Sequence, residues 1–484
     1  MNYPFYIVIF CSVSFLILVW RWFKYHLKFD FLTKLVLKNN LTVSPQFFSS
    51  FCIREIIYKA IQRRQTTLID FLLAGKRKKA LPLVKDKNLA LILKGFDMPQ
   101  RAAEMMLKTY KKSHSNTLAV WCALLFSAAG DKKKASSCWD NAKEKGLPPY
   151  LKACYFCHMA QTAAQNGDLE SASAYFYRAI SRFRRTQAYY EEAQTYLNLA
   201  TLYRICFIFD TAESLLRTSK DIFGHIGHET GLAQVHAQLG MLMIGQERFE
   251  EALDYFNRSL QFYEAKKHLV ESAEIKNQLA LLYLLQRKFS LAQGFLRQAK
   301  KIHKTAGNII GEAFSTELEA NCFWLKENFA QTQKSAERAA QLYEKTDNVS
   351  GLLESLYLLA QALFKQEKDN EAEILLRKII DIGKKDCGCF YLANAYNLLG
   401  IIYVKRKDLL RAKGLFRQSL ELEQRGFRSK ALAADYTNLG IIDLRCGQPE
   451  TAKKNLEAAL ELAESTEDEE LCAQIKQLLN QLNN

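Results

Sequence analysis

The sequence predicts an all-α protein, an α-solenoid of helix-turn-helix repeats preceded by a single transmembrane helix. Three observations predict it. At 484 residues the chain exceeds what one hydrophobic core serves, so it is several domains or one elongated array. A period of 40 residues runs without slippage from about residue 153 to residue 460. Ahead of it, Tyr3 to Trp20 carries no charge, and as a helix it spans roughly 27 Å at ~1.5 Å per residue, close to a bilayer core.

The amino-terminal segment is the first element. Tyr3, Phe5 and Tyr6 cluster at one end of the apolar run and Trp20, Trp22 and Phe23 at the other, as the two membrane interfaces prefer. Pro4 is harmless in a first turn. A cleaved signal peptide needs positive charge before the run and a small-residue cleavage site after it, and neither is present. Arg21, Lys24, Lys28, Lys34 and Lys38 follow the run instead. Residues 1–28 are therefore expected to be an uncleaved single-pass anchor, with everything after Trp20 in the cytoplasm.

Charge divides the rest. Residues 1–150 hold 25 Lys+Arg against 9 Asp+Glu, while residues 151–484 hold 42 of each, so the whole net charge of +16 lies in the first third. Basic segments attract polyanions through counterion release. Behind a membrane span, an anionic membrane surface is the nearer partner for Lys76–Lys79, Lys111-Lys112 and Lys132–Lys134. Nucleic-acid binding through residues 29–150 is the alternative reading, and no nucleic acid is the expectation. Apolar residues at 49% and charged residues at 24% are ordinary for a folded chain.

Residues 29–150 read as a basic helical region with degenerate repeats. Gly130-Asp131-Lys132-Lys133-Lys134-Ala135 mimics Gly167-Asp168-Leu169-Glu170-Ser171-Ala172, and Gly75–Ala80 is a fainter echo. Eight repeats then fill residues 151–466. One helix position is always small: Ala160, Ala200, Gly240, Ala280, Ala320, Ala360, Gly400 and Gly440. Twelve residues on comes a second small position, Ala172, Ala212, Ala252, Ala292, Thr332, Ala372, Ala412 and Ala452. Large apolar residues such as Phe176, Phe256, Leu296 and Phe416 follow it at the spacing of a second helix stripe. Turn signals separate the helices, as at Gly167-Asp168, Lys368-Asp369, Lys407-Asp408 and Gly447-Gln448-Pro449, and no proline occurs from 150 to 448. Residues 467–484 read as a polar capping helix that covers the last apolar face.

This pattern resembles the tetratricopeptide repeat family over about two thirds of the chain. The period of 40 departs from the commoner 34 and is similar to the longer-helix variant of cell-polarity adaptors with Asn-Leu-Gly motifs. Here those stand as Asn198-Leu199-Ala200, Asn397-Leu398-Leu399-Gly400 and Asn438-Leu439-Gly440. The resemblance implies a right-handed solenoid whose first helices line a concave groove that takes a peptide or helical segment of a partner protein. It also implies groove sites two residues before and one after the small position, and the position four after is a further candidate. The first kind are Asn198, Gln238, Gln278 and Asn438, with Asn397 beside them, amides able to donate and accept to an extended backbone. The second kind are Arg204, Trp324 and Phe364, with Tyr357 three before its small position. The amides equally fit a solvated helix face, and aromatics at helical spacing more often fill a core.

Catalysis finds no support. There is no phosphate-binding glycine loop and no His-Glu-x-x-His, and the eight histidines are not grouped with acids and cysteines. No catalytic residue, metal, cofactor or small-molecule substrate is expected. Cys154-Tyr155-Phe156-Cys157-His158 matches the spacing of covalent haem attachment, so a redox or haem-linked protein using Cys154, Cys157 and His158 is the second alternative. Twelve irregularly spaced cysteines suggest a reducing compartment instead, and Cys387-Gly388-Cys389 is an equally weak redox signal. The leading expectation is a membrane-anchored scaffold or adaptor.

Overall fold

The computed structural model describes residues 99–483 apart from 166, 347, 385–388, 427, 428 and 467. The apolar segment Tyr3–Trp20, its basic flank, the Gly75–Ala80 echo and the turn residues Cys387 and Gly388 lie outside the described residues. Among those described, no helix is long and apolar enough to cross a membrane, and there is no strand.

The described chain is a run of helices: α1 (Pro99–Ser113), α2 (Asn116–Ala128), α3 (Lys132–Asp140), α4 (Pro149–Gln165), α5 (Leu169–Arg185), α6 (Tyr189–Ile205), α7 (Phe209–His225) and α8 (Glu229–Gly245). It continues with α9 (Phe249–Ala265), α10 (Leu269–Leu285), α11 (Phe289–Thr305), α12 (Ile309–Leu325), α13 (Phe329–Tyr343), α14 (Val349–Lys365) and α15 (Asp369–Gly383). The last are α16 (Cys389–Lys405), α17 (Leu409–Gly426), α18 (Ser429–Arg445), α19 (Pro449–Ser465) and α20 (Glu469–Asn483). Two compact units divide the chain, Met1–Glu247 and Arg248–Asn484. In each unit, consecutive helices pack on one another as helix hairpins.

Local chemistry sets the spacing. From Leu169 to Glu469 a helix opens at every twentieth residue. Most are 17 residues long, and a three-residue link follows, whose middle residue is left-handed. After α7, Gly227 has φ +65°, the His228 N–H donates to the Phe223 carbonyl at 2.9 Å, and the Gly227 N–H donates to the Gly224 carbonyl at 3.1 Å. This double bond satisfies carbonyls that the helix end leaves open. The next residue caps the following helix where its side chain allows. Asp168, Asn308 and Asn348 accept from the N–H groups of Ser171, Gly311 and Gly351. The degenerate motif at Gly130–Lys134 makes the same turn between the shorter α2 and α3, with Asp131 accepting from Lys134 N–H.

In seven of the eight repeats a large residue sixteen after the small one is buried, Ala336 being the exception. A Cβ on Gly400 would stand 2.8 Å from the Phe416 ring, and one on Gly440 would stand 2.7 Å from Leu456. The second small position is buried at Ala172 and Ala212 in the first unit and at Ala292, Thr332, Ala372, Ala412 and Ala452 in the second. A further buried ring ends three second helices and lies flat on a glycine of the next first helix. These are Phe223 on Gly231, His303 on Gly311 and Tyr343 on Gly351, each at about 2.4 Å from where a Cβ would sit. Such contacts bring backbones to close range at interior packing density.

The two helices of a hairpin differ in kind. Second helices such as α5 and α11 bury one stripe and expose the other. First helices such as α10 bury residues on nearly every side, because α10 lies between its own second helix α11, the preceding second helix α9 and the next first helix α12. At the carboxyl end, α20 places buried Ile475 on Leu456, Ala459 and Ala463 and turns a polar face outward.

Candidate binding face

The residues that lie two, three and six before each small position share one side of the first helices, because helical neighbours recur every three to four residues. The face is described for each unit by itself.

In the first unit it is built on α4, α6 and α8. The Tyr150 hydroxyl donates to Glu191 at 2.9 Å, and Cys157 Sγ lies 3.6 Å from Thr195 Oγ1, so α4 and α6 are joined by polar contacts. Thr201 Oγ1 of α6 donates to Gln238 Oε1 of α8 at 3.3 Å. Asn198 is half-buried and accepts from Gln194 Nε2 at 3.3 Å within its own helix. These two amides thus spend part of their capacity inside the face. Arg204, at the end of α6, is half-buried with its Nε lacking a partner, and burial lowers its pKa.

The cysteine motif lies on α4 and its three side chains meet three different neighbours. Cys154 is buried among Ala153, Phe156 and Phe183. His158 stacks on Trp139 at 4.3 Å, and burial lowers its pKa. Burial pushes the Cys157 thiol up to about 12, which holds it protonated, the opposite of a nucleophilic or metal-ligating thiolate. Among the described residues no group of three or more His, Cys, Asp or Glu collects as metal ligands.

In the second unit, α10, α12, α14, α16 and α18 carry the face. Gln278 is half-buried and its Oε1 has no partner, while neighbouring Asn277 accepts from Ser315 Oγ at 2.9 Å across α10 and α12. Asn397 donates to Asp435, joining α16 to α18, and Asn438 is half-buried beyond it. Trp324, Tyr357 and Phe364 are brought together, all half-buried against one apolar cluster that includes Leu356, Leu359 and Ile402. Trp324 meets Phe329 edge to face at 5.3 Å across the α12–α13 turn. Lys405 Nζ stands 5.7 Å from the centre of the Phe364 ring, a cation–π contact. Burial pushes the Tyr357 hydroxyl up to about 12.

One constellation was not foreseen. Glu317 of α12 is buried beside Glu354 of α14, and the Tyr391 hydroxyl of α16 donates to Glu354 Oε2 at 2.6 Å. Tyr343, held flat on Gly351, has its hydroxyl beside Glu317. The signal lay in the sequence: three before the small position, other repeats carry Cys157, Leu197, Ala237, Asn277, Tyr357, Asn397 and Thr437, and Glu317 is the one carboxylic acid at that position.

A tetratricopeptide repeat model matches residues 192–265, 231–305 and 391–474, and a second model of that repeat matches residues 155–186. Tetratricopeptide repeats are thus detected in both units. Comparison with curated proteins finds no match. Among solved structures, the chain is similar to a signal transduction ATPase with numerous domains that has a tetratricopeptide repeat sensor, from Pyrococcus horikoshii. The identity is 12%, 80% of this chain and 69% of that one are covered, and the TM-score is 0.50. It is also similar to aspartyl phosphate phosphatase F from Bacillus subtilis, at 16% identity over 76% of this chain and 92% of that one, with a TM-score of 0.45. At these identities the first likeness is one of fold.

Proposed function

We propose that this chain is a protein–protein interaction scaffold whose first-helix faces hold a segment of a partner protein, and that residues 1–28 anchor it in a membrane. The repeats are of the long-helix, 40-residue kind found in cell-polarity adaptors, and the array works on the cytoplasmic side. The basic residues between the apolar segment and α4 meet the anionic membrane surface. The role is one of capture, without catalysis.

One observation carries the reading. Along the first helices of each unit stand half-buried polar and aromatic side chains, and several buried polar atoms there have no partner among the described residues: Arg204 Nε in the first unit, Gln278 Oε1 and Glu317 Oε2 in the second. Unpartnered buried polar groups cost roughly 1–3 kcal/mol each, so a face that keeps them is more plausibly a recognition surface than a packing surface.

Crosslinking in cells with the full chain, followed by identification of the crosslinked proteins and sites, is the test. Crosslinks should fall on the first helices, and replacing Asn198, Gln238 and Trp324 together should reduce capture. Unchanged capture by that triple variant would remove the face from the reading. The anchor has its own test: the full chain should stay with membranes in alkaline carbonate and a form lacking residues 1–28 should not.

A further inference from the structure

The second unit holds a charge arrangement that its packing does not need. Glu317 is 2% exposed, and its Oε2 has no hydrogen-bond partner. Tyr343, Glu354 and Ser355 stand around the rest of the carboxyl. Burial, with Glu354 alongside, pushes the Glu317 carboxyl up to about 8. No Lys, Arg or His forms an ion pair with Glu317 or Glu354 among the described residues. Two other acids of this unit have bases beside them. Asp443, 1% exposed, pairs with Lys413 and accepts from Asn455, and Glu373 pairs with Arg377 and Arg406. Glu317 and Glu354 have no such base, and a buried carboxyl that keeps an open oxygen is costly to the fold.

The pair is not sealed. Glu354 and Tyr391 are half-buried, and Phe314, one turn before Glu317, is 36% exposed. A side chain arriving over α12, α14 and α16 therefore meets Glu354 first, with Glu317 behind it.

We propose that Glu354 and Glu317 receive a cationic side chain, lysine or arginine, of a partner segment lying across α12, α14 and α16. This rests on the scaffold reading and names the chemistry of its ligand. An ammonium or guanidinium donates to several oxygens at once, so it pairs with Glu354 and satisfies the open oxygen of Glu317. Tyr391 holds Glu354 in place by its 2.6 Å hydrogen bond. Phe314 and Tyr357, one helical turn from Glu317 and Glu354, present aromatic surface to the stem and charge of an organic cation. A metal ion fits less well, because no group of three or more hard or nitrogen ligands gathers among the described residues.

The test is selection of a displayed library of random nonapeptides on the full chain in detergent, followed by affinity measurement of the selected peptides. Selected peptides should share a Lys or Arg, and changing it to Gln should weaken binding by roughly tenfold or more. Glu354→Gln in the protein should cost the same, and the two changes together should cost little beyond either alone. Circular dichroism melting of Glu354→Gln and Glu317→Gln checks that both variants fold, which their isosteric side chains favour. Peptides that bind without a basic residue, or that bind Glu354→Gln as tightly as wild type, overturn this inference and leave the scaffold reading standing. A library that yields no binder for the first-helix face overturns both.

Discussion

The seam inside each hairpin and the face along the first helices are made from the same helices and obey different rules. At the seam, the second small position is alanine in seven of the eight repeats, with Thr332 as the exception. On the face, three before the first small position, the residue changes at each step: Cys157, Leu197 and Ala237 in the first unit, then Asn277, Glu317, Tyr357, Asn397 and Thr437 in the second. Two backbones in close contact admit one size of side chain, and any increase must be absorbed by a neighbour at interior density. Along the face the neighbours are side chains of the adjoining first helix within a unit, and they admit any residue they can pack or pair with, as Ser315 does with Asn277. Uniformity is thus the mark of packing, and variation is where a ligand's identity can be written.

The largest expected effects sit at the seam. Phe416→Ala should cost about 3–5 kcal/mol in chemical denaturation of the full chain, because the buried ring leaves a cavity against Gly400. Gly400→Ala should cost about 1–3 kcal/mol by overpacking the same ring, and Phe416→Leu in that background should recover part of it. If Gly400→Ala is neutral alone, the close approach is not what keeps that position small.

Glu317→Gln tests the face in the opposite direction. In the folded chain burial and Glu354 raise the Glu317 carboxyl to about 8 from the ordinary 4.5, so between those values the folded state holds a proton that the unfolded chain has released. Its contribution is full below pH 4.5 and is lost as pH rises through about 8. The Gln variant should therefore match wild type near pH 4.5 and exceed it above pH 8, by on the order of a few kcal/mol. A variant that loses stability at alkaline pH breaks the view that this acid is kept at a cost to the fold.

Acid acts on the contacts between successive hairpins through histidine. Burial lowers the pKa of His228 and His303 below 6.5, so the unfolded chain takes up protons first as pH falls. Stability is full above pH 6.5 and declines on acidification below it. His303→Phe, which puts at this site the ring type that Phe223 provides on Gly231, should blunt the decline in a melting series from pH 7 to 5. An unchanged pH profile means His303 is not the group that charges.

The smallest effects belong to the turns and the open side. Glu327 sits at φ +58° in the link after α12, where glycine bears no steric penalty. Glu327→Gly should raise stability by less than about 1 kcal/mol, since relief of the left-handed strain is partly offset by chain entropy. Asn438→Ala should change stability by no more than about 0.5 kcal/mol, as suits a half-buried residue whose value lies in binding.

Legibility followed the same division. The hairpins could be read because Ala, Gly and Leu recur in register, and the structure puts Ala200, Ala280, Ala320, Ala360 and Gly400 into buried seams. The groove residues were read only as positions. Asn198 and Gln238 turned out to spend hydrogen bonds on Gln194 and Thr201, and Trp324, Tyr357 and Phe364 lean on the core while staying half-open. Glu317 and Glu354 went unread because they belong to different repeats, 37 residues apart, and neither is unusual on its own helix.

The order of residues by itself determined the helix lengths, the link geometry and which side chains close each hairpin. All of these follow from contacts within about 20 residues, or from a repeat that copies them. Tertiary structure alone decided which polar groups of one first helix meet those of the next, and which remain without a partner. That outcome depends on the stacking of hairpins, where a carboxylate such as Glu317 gains its neighbours and loses its water in the same step.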